Sequence, residues 1–264
     1  MKKCNKYAAL LMLAALPWIS SCSDDNAPKK PSREIVQIDV YKAETDAFHM
    51  LAQYHMTYDV KKRISSIHTD YHSQEITYTY GNNNIVYHWE GNLPELGTFV
   101  FNFKSELRNG RIQVGLIDYN KGTETNTYNY SYHYSPRGYV QDATYGGSQL
   151  FNYDWGKTNL IIKSHPSTYD AQYSYSDVAN NYSFDLNILP LLVDTRVDAQ
   201  LAMNLYGQFA GVTGSRYPYF LADTDYSYNY MFDADDRLAQ IVQTPATLKP
   251  EKQDTYWFMI HYGE

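Results

Sequence analysis

Eight histidines are the first candidates for chemistry in this chain of 264 residues, because imidazole is a common metal ligand and general base. His68 and His72 are four residues apart and would share a face in either a helix or a strand. No cysteine or glutamate stands at a spacing that completes a zinc site such as HExxH. We therefore expect surface or interstrand imidazoles and no metal site.

The acidic run DADDR (233–237) is a second candidate, since it superficially resembles a calcium loop. The EF-hand pattern requires an oxygen ligand where Arg237 stands, then a glycine and a glutamate at the twelfth position. Asp223 and Asp225 lie nearby in sequence and could add oxygen ligands. Aspartate is also favoured in tight turns. We interpret the run as a turn and expect no bound cofactor.

The chain offers no local signature of covalent catalysis. It has no GxSxG sequence and no cysteine in a catalytic motif with a partner histidine. Two carboxylates for glycoside hydrolysis could still come together in space from any of the 29 acidic residues. We predict no catalytic residue, and a glycan-acting hydrolase remains an alternative.

Aromatic side chains are the most abundant binding chemistry, with 28 tyrosines and four tryptophans. Their rings bury a large area and carry a polar tip, so they suit both cross-strand packing and binding surfaces for sugar rings. We expect cross-strand packing to use most of them. Trp155, beside the turn in DWGK (154–157), is the candidate ligand-binding residue.

The aromatic residues follow a strand-like alternation. In YNYSYHY (128–134) the tyrosines would line one face of a strand, and Asn129, Ser131 and His133 the other. The same alternation occurs in ITYTY (76–80), FVFNF (99–103) and YSYNY (226–230). Turn segments such as RNGR (108–111) separate the strands. The pattern predicts hairpins with one apolar face and one polar face.

A two-residue step, polar or glycine and then apolar, recurs just after the turns, mostly at intervals of 21–27 residues. The steps are Arg63-Ile64, Asn84-Ile85, Arg111-Ile112, Gly138-Tyr139, Asn159-Leu160, Asn181-Tyr182 and Arg237-Leu238. This period fits one hairpin per repeat and roughly 12 strands in all. A sheet of that size with one aromatic face must curl or fold onto a second layer. We predict a mostly β domain, an antiparallel meander curled into an open or incomplete barrel.

One segment, at about 187–211, breaks the repeat. Its apolar residues fall four apart, which predicts a stripe along a helix, opened by Pro190 and closed by Gly211 and Gly214. The stripe consists of Val193, Val197, Leu201, Leu205 and Phe209. We expect this inserted helix to pack against the aromatic face of the sheet. A helix that docks a partner through an exposed stripe is the alternative.

The N-terminus has the order of a secretory signal, with three lysines, an apolar run at 8–16 and small residues up to Cys22. The apolar run is too short to span a bilayer as a helix. The ending ISSC resembles the lipobox of bacterial lipoproteins. That resemblance implies a signal peptide at 1–21 and acylation of Cys22 by chains such as palmitate, which anchor the chain to a membrane. A secreted protein cut near Ser21 is the alternative.

Removal of residues 1–21 would leave 264 − 21 = 243 residues with a formal charge of −7 − 3 = −10. A domain this acidic is not expected to bind nucleic acid. Residues 22–33 read as a lipidated N-terminus and an extended tether, followed by one domain at 34–264. The SDD after Cys22 resembles the surface-export signal of Bacteroides-type lipoproteins, which implies the outer membrane and the cell surface; the periplasmic face is the alternative.

The repeats resemble the YD repeats of RHS proteins. The arrangement over 34–264 resembles more specifically the Bacteroides-type lipoprotein family catalogued as domain of unknown function 4595. This resemblance rests on the lipobox, the hairpins, YSFDLNILPLL (182–192), FAGVTGSRYPYFL (209–221) and YWFMIHYGE (256–264). It implies a porin-like β fold without an assigned activity. We do not expect a transmembrane barrel, because the strands of such a barrel need about 9–11 residues. Several of the aromatic strands predicted here would reach that length only if their polar turns were included.

The most economical interpretation is a non-catalytic binding module of the cell envelope whose ligand is a glycan, a peptide or a protein. A structural or interaction subunit of an envelope complex is the alternative that an exposed stripe at 187–211 would favour. A glycan-acting hydrolase would require two close carboxylates in a cleft.

Overall fold

The computed structural model describes residues 34–44, 47–93, 97–155, 160–164, 170–172, 174–180, 182, 184, 186–187, 189, 219–221, 226–245 and 254–264. The signal segment, Cys22, the tether and nearly all of the predicted helical insertion lie outside these residues. All of the described residues belong to one compact unit, Ser32–Glu264. No helix in this part of the chain is long and apolar enough to cross a membrane.

Seventeen strands account for most of the described residues. They are β1 (Ile35–Glu44), β2 (Ala47–Tyr58), β3 (Ile64–Thr69), β4 (Gln74–Tyr80), β5 (Asn84–Leu93), β6 (Gly97–Arg108), β7 (Arg111–Lys121), β8 (Glu124–Tyr134), β9 (Val140–Tyr145), β10 (Ser148–Trp155), β11 (Leu160–Ser164), β12 (Asp170–Gln172), β13 (Tyr175–Ala179), β14 (Tyr219–Leu221), β15 (Tyr226–Phe232), β16 (Leu238–Pro245) and β17 (Thr255–Tyr262). A 3₁₀ turn at Tyr71–Ser73 joins β3 to β4.

Fifteen of the strands form one sheet, in the order β12-β11-β10-β9-β8-β7-β6-β5-β4-β3-β2-β1-β17-β16-β15, and all of its pairs are antiparallel. Sequence neighbours pair throughout, except where the C-terminal β17 returns to pair with β1. Within the described residues the outermost strands, β12 and β15, do not pair with each other, so the sheet is not closed. The predicted fold class, an open antiparallel meander, is confirmed.

The number and length of the strands differ from the sequence expectation. The prediction of roughly 12 strands was too low, because three-residue strands such as β12 and β14 are too short to show an alternation. Several strands are also longer than predicted, since their turns are tight. The turn from β6 to β7 consists of Asn109 and Gly110 alone, both with positive φ (53° and 73°). As a result β6 is 12 residues long and β7 is 11 residues long.

The predicted alternation of an apolar and a polar face is confirmed. On β8, Tyr130 and Tyr132 are buried, whereas Asn129 and His133 are exposed. Across β5 and β6 the buried rings stack, with 4.4 Å between the centroids of Tyr87 and Phe103 and 5.1 Å between those of Trp89 and Phe101. The aromatic rings thus form the core, and the opposite face of the sheet, called here the outer face, carries the polar side chains.

The segment that precedes the predicted helix also belongs to this core. Tyr182, Phe184, Leu186 and Leu189 are buried in the same cluster as the strand residues. The Tyr182 hydroxyl accepts a hydrogen bond of 2.9 Å from the backbone N–H of Leu238 at the start of β16. The chain between β13 and β14 therefore contributes apolar side chains to the core of the sheet.

The turn between β2 and β3 shows what the sequence repeat encodes. The Asp59 carboxylate accepts hydrogen bonds from the backbone N–H groups of Lys61 and Arg63 and from the Arg63 guanidinium. Asp59 and Arg63 also bond through their backbones, and Lys62 takes a positive φ of 60° between them. These hydrogen bonds lower the pKa of Asp59, those from Arg63 above all.

The run 233–237 between β15 and β16 has the same arrangement. Asp233 accepts from the backbone N–H groups of Asp235 and Arg237 and from the Arg237 guanidinium, and Asp236 has a φ of 58°. The turn at 135–139 repeats the backbone hydrogen bonds, with Gly138 at the positive φ. The interpretation of DADDR as a turn is therefore confirmed.

Tyrosine hydroxyls near strand ends tie the hairpins together. Each donates to the carbonyl of the first or second residue of another strand, at 2.7–2.9 Å: Tyr58 to Ile35, Tyr80 to Ile64, Tyr134 to Ile112, Tyr175 to Leu160 and Tyr262 to Leu238. The Arg63 guanidinium also covers the ring of Tyr80 at 3.9 Å, and Arg237 covers that of Tyr262 at 4.8 Å. An aromatic residue, a turn and an apolar residue thus recur because at these five places a tyrosine near a strand end bonds to the start of another strand.

Replacement of Tyr134 by phenylalanine tests this role. The change removes the hydroxyl that bonds to the Ile112 carbonyl and leaves the ring in place, so we expect a loss of about 1 kcal/mol in the free energy of unfolding. Urea unfolding followed by circular dichroism measures it. Tyr128→Phe is the matched control, because the Tyr128 ring stacks on Tyr145 at 5.1 Å and its hydroxyl has no hydrogen bond within the described structure. An equal loss in both variants would contradict the assignment.

Candidate ligand-binding surface

A row of large apolar side chains crosses the outer face on four adjacent strands. The strand register places four of them directly opposite one another: Met50 on β2, Tyr41 on β1, Trp257 on β17 and Val242 on β16. The nearby Phe48 and Met259 extend the row. These six residues are called here the aromatic patch.

Phe48 and Trp257 form the centre of the aromatic patch. Their ring centroids are 3.8 Å apart with 33° between the planes. Phe48 and Met50 are 50% and 54% exposed, far more than core residues of their type. Large apolar side chains grouped on a polar sheet face mark a binding surface more often than single exposed ones do.

A β-bulge explains why Phe48 and Met50 face outward. They have the same parity as Ala52 and Tyr54, which are buried, so a regular strand would place all four on the inner face. Val40 pairs with Ala52 whereas Tyr41 pairs with Met50, so Leu51 is an extra residue. One inserted residue moves the side chains on one side of it to the opposite face.

A buried carboxylate lies beside the aromatic patch. Asp39 is 7% exposed, and its Oδ1 accepts hydrogen bonds of 2.8 Å from Nε2 of both Gln37 and Gln53. Its Oδ2 lies 2.8 Å from His261 Nε2, which donates to it. Burial raises the pKa of Asp39, but the hydrogen bonds outweigh burial and leave the pKa below its usual value. Asp39 pairs across the strands with Met259 of the patch.

A concave region of about 680 Å³ occupies another part of the outer face, over β5–β9. Val114 and Leu116 of β7 lie at its centre and are 46% and 40% exposed. Lys104 and Glu106 of β6 flank them on one side, and β8 residues on the other. The whole region is called here the β7 groove, and its volume is in the range of small-ligand sites.

The structure does not place His68 and His72 on one element. β3 ends at Thr69, and His72 lies in the following 3₁₀ turn with a φ of 59°, so the expectation of a shared face was wrong. His68 is exposed and lies 3.5 Å from Asp70, whereas burial lowers the pKa of His72. Among the described residues, no group of three or more His, Cys, Asp or Glu side chains is arranged to hold a metal ion.

Trp155 has a packing role. Its ring stacks on Tyr139 at 4.6 Å, and its indole N–H donates a hydrogen bond of 2.6 Å to the Val140 carbonyl. This bond takes the place of the tyrosine hydroxyl bonds at the other strand ends. A ligand at Trp155 stays a prediction, and the aromatic patch is the surface that sequence reasoning missed.

The unclosed antiparallel meander with an aromatic inner face is a porin-like β fold. Two crystal structures of porin-like proteins share it. The protein from Bacteroides uniformis ATCC 8492 matches with a TM-score of 0.59 and 15% sequence identity, over 88% of this chain and 99% of that chain. The protein from Bacteroides vulgatus ATCC 8482 matches with a TM-score of 0.52 and 12% sequence identity, over 87% of this chain and 98% of that chain. No family model matches the chain. No curated protein matches it either.

Proposed function

We propose that this chain is a non-catalytic glycan-binding lipoprotein of the bacterial cell envelope, and that the aromatic patch is its binding surface. The observation that carries the proposal is the pair of rings of Phe48 and Trp257, which are in contact at a tilt of 33° outside the core. In the same patch, Met259 pairs with the Asp39 residue.

The chemistry of the patch fits a sugar. The apolar faces of sugar rings pack on aromatic side chains, and their hydroxyls bond to carboxylates, amides and imidazoles. The patch supplies the rings of Tyr41, Phe48 and Trp257. Asp39 fixes Gln53 and His261 one row away, so polar groups held in place face a ligand at low cost in side-chain entropy.

The proposed cellular location rests on the sequence of the N-terminus. The proposal includes a lipid anchor on Cys22 and attachment to the outer membrane, with the domain at the cell surface. The porin-like fold of the two Bacteroides proteins supports membership of the lipoprotein family catalogued as domain of unknown function 4595, which the sequence resembles.

A glycan array probed with the purified, fluorescently labelled protein tests the proposal. We expect saturable binding to a subset of glycans, weakened at least tenfold by Phe48→Ala. Phe232→Ala is the matched control, because Phe232 is 41% exposed on β15 outside the patch, and it should bind as the unchanged protein does. The absence of any glycan ligand, or equal affinities for both variants, would overturn the proposal.

A further inference from the structure

The β7 groove points to a second ligand of different chemistry, independent of the glycan. We propose that it binds an extended segment of a partner protein through a lysine or arginine side chain. The aliphatic stem lies on Val114 and Leu116, and the charged head pairs with Glu106.

The register of the strands supplies both halves of this site. Val114 lies directly opposite Glu106, and Leu116 lies opposite Lys104. Residues two apart on a strand share a face, so two exposed aliphatic side chains stand beside a carboxylate. A lysine or arginine side chain is complementary to this arrangement, since its long apolar stem ends in a positive charge.

The charges of the groove favour a cation over an anion. Lys104 Nζ lies 2.8 Å from Asp118 Oδ2, and the hydrogen bond from Lys104 lowers the pKa of Asp118. The positive charge of Lys104 is thereby neutralised within the protein. Glu106 is exposed and forms no ion pair in the described part of the chain. The groove therefore presents one uncompensated negative charge, on a chain whose formal net charge is −7.

The polar rim of the groove suits an extended main chain. Asn129 and Ser131 of β8 lie directly opposite Leu116 and Val114. Asn129 offers an amide group, and the Ser131 hydroxyl, which is bonded to Thr144, can accept a further hydrogen bond. Among the described residues that line this groove, the one aromatic residue, Tyr130, is buried, and its hydroxyl bonds to Ser105. The groove thus lacks the exposed rings of the aromatic patch, which is why we assign it a peptide and not a sugar.

Methyl NMR titration of the purified protein tests this assignment. The probe is the blocked pentapeptide Val-Lys-Val-Lys-Val, compared with Val-Glu-Val-Glu-Val. We expect saturable shifts of the Val114 and Leu116 methyl signals with the lysine peptide only. Glu106→Gln should weaken this binding at least tenfold.

Glu75→Gln is the matched control, because Glu75 is an exposed acid on β4, outside the groove. It should bind the lysine peptide with unchanged affinity. Three outcomes would overturn the proposal: the same affinity in Glu106→Gln as in the unchanged protein, an equal loss in both variants, or no shift with the peptide. None of them bears on glycan binding at the aromatic patch.

Discussion

Substitution of Gly115 by valine is expected to destabilise the protein by at least about 3 kcal/mol. A Cβ atom at this position of β7 would lie 2.5 Å from the ring of Tyr130 and 2.6 Å from the backbone carbonyl oxygen of Lys104. Real Cβ contacts are essentially never this short, so the sheet must shift. Urea unfolding followed by circular dichroism measures the loss.

The tyrosine ring and the Lys104 carbonyl together explain why only glycine fits there. Tyr130 faces Gly115 directly across β7 and β8, and its hydroxyl reaches past that position to Ser105 on β6. Truncation of Tyr130 should not rescue the valine variant, because the Lys104 carbonyl is part of the main chain and cannot rotate away.

Gly122→Asn is the control for the loss of a glycine as such. Gly122 lies in the turn between β7 and β8 with a φ of 58°, and a Cβ there would meet nothing within 4 Å. Asparagine tolerates this conformation better than most residues. A stability within about 0.5 kcal/mol of the unchanged protein is expected, and a loss equal to that of Gly115→Val would show that the contact with Tyr130 is not the cause.

The inner face of the sheet was predictable from sequence because its signal is local. The alternation at 128–134 predicts which tyrosines face the core, and Asn109-Gly110 predicts where the chain reverses. The turn at 233–237 was predictable for the same reason, since Asp233 bonds to backbone groups within four residues of itself.

The candidate binding surfaces were not predictable because they depend on long-range pairing. Trp257 meets Tyr41 only because β17 returns to β1, a contact between residues more than 200 apart in sequence. Phe48 joins them only because Leu51 is an extra residue in β2, and no local pattern marks that bulge. The β7 groove likewise needs the register between β6, β7 and β8.

Aromatic residues have different expected roles on the two faces of the sheet. Aromatic rings on the inner face are packed against each other and form one cluster with Tyr182, Phe184, Leu186 and Leu189, so they stabilise the fold. On the outer face, Phe48 and Trp257 are not part of the core cluster that the described residues form. The same substitution should therefore affect stability on one face and binding on the other.

Trp89→Ala should cost about 4 kcal/mol or more in the free energy of unfolding. Trp89 is fully buried, with its ring 4.4 Å from that of Phe99 and 5.1 Å from that of Phe101, so truncation leaves a large cavity. The indole N–H also donates a hydrogen bond of 3.1 Å to Gln74 Oε1, and this buried oxygen loses that donor. Urea unfolding measured by circular dichroism avoids the loss of tryptophan fluorescence.

Trp257→Ala is the matched comparison, since it truncates the same residue type on the outer face. Trp257 is half-buried and lies in the aromatic patch, so its removal forms no closed cavity and should cost about 1 kcal/mol. Its larger effect should be the loss of glycan binding, whereas the residual folded fraction of Trp89→Ala should keep its affinity. Equal destabilisation by the two substitutions would contradict the division of the sheet into a structural inner face and a binding outer face.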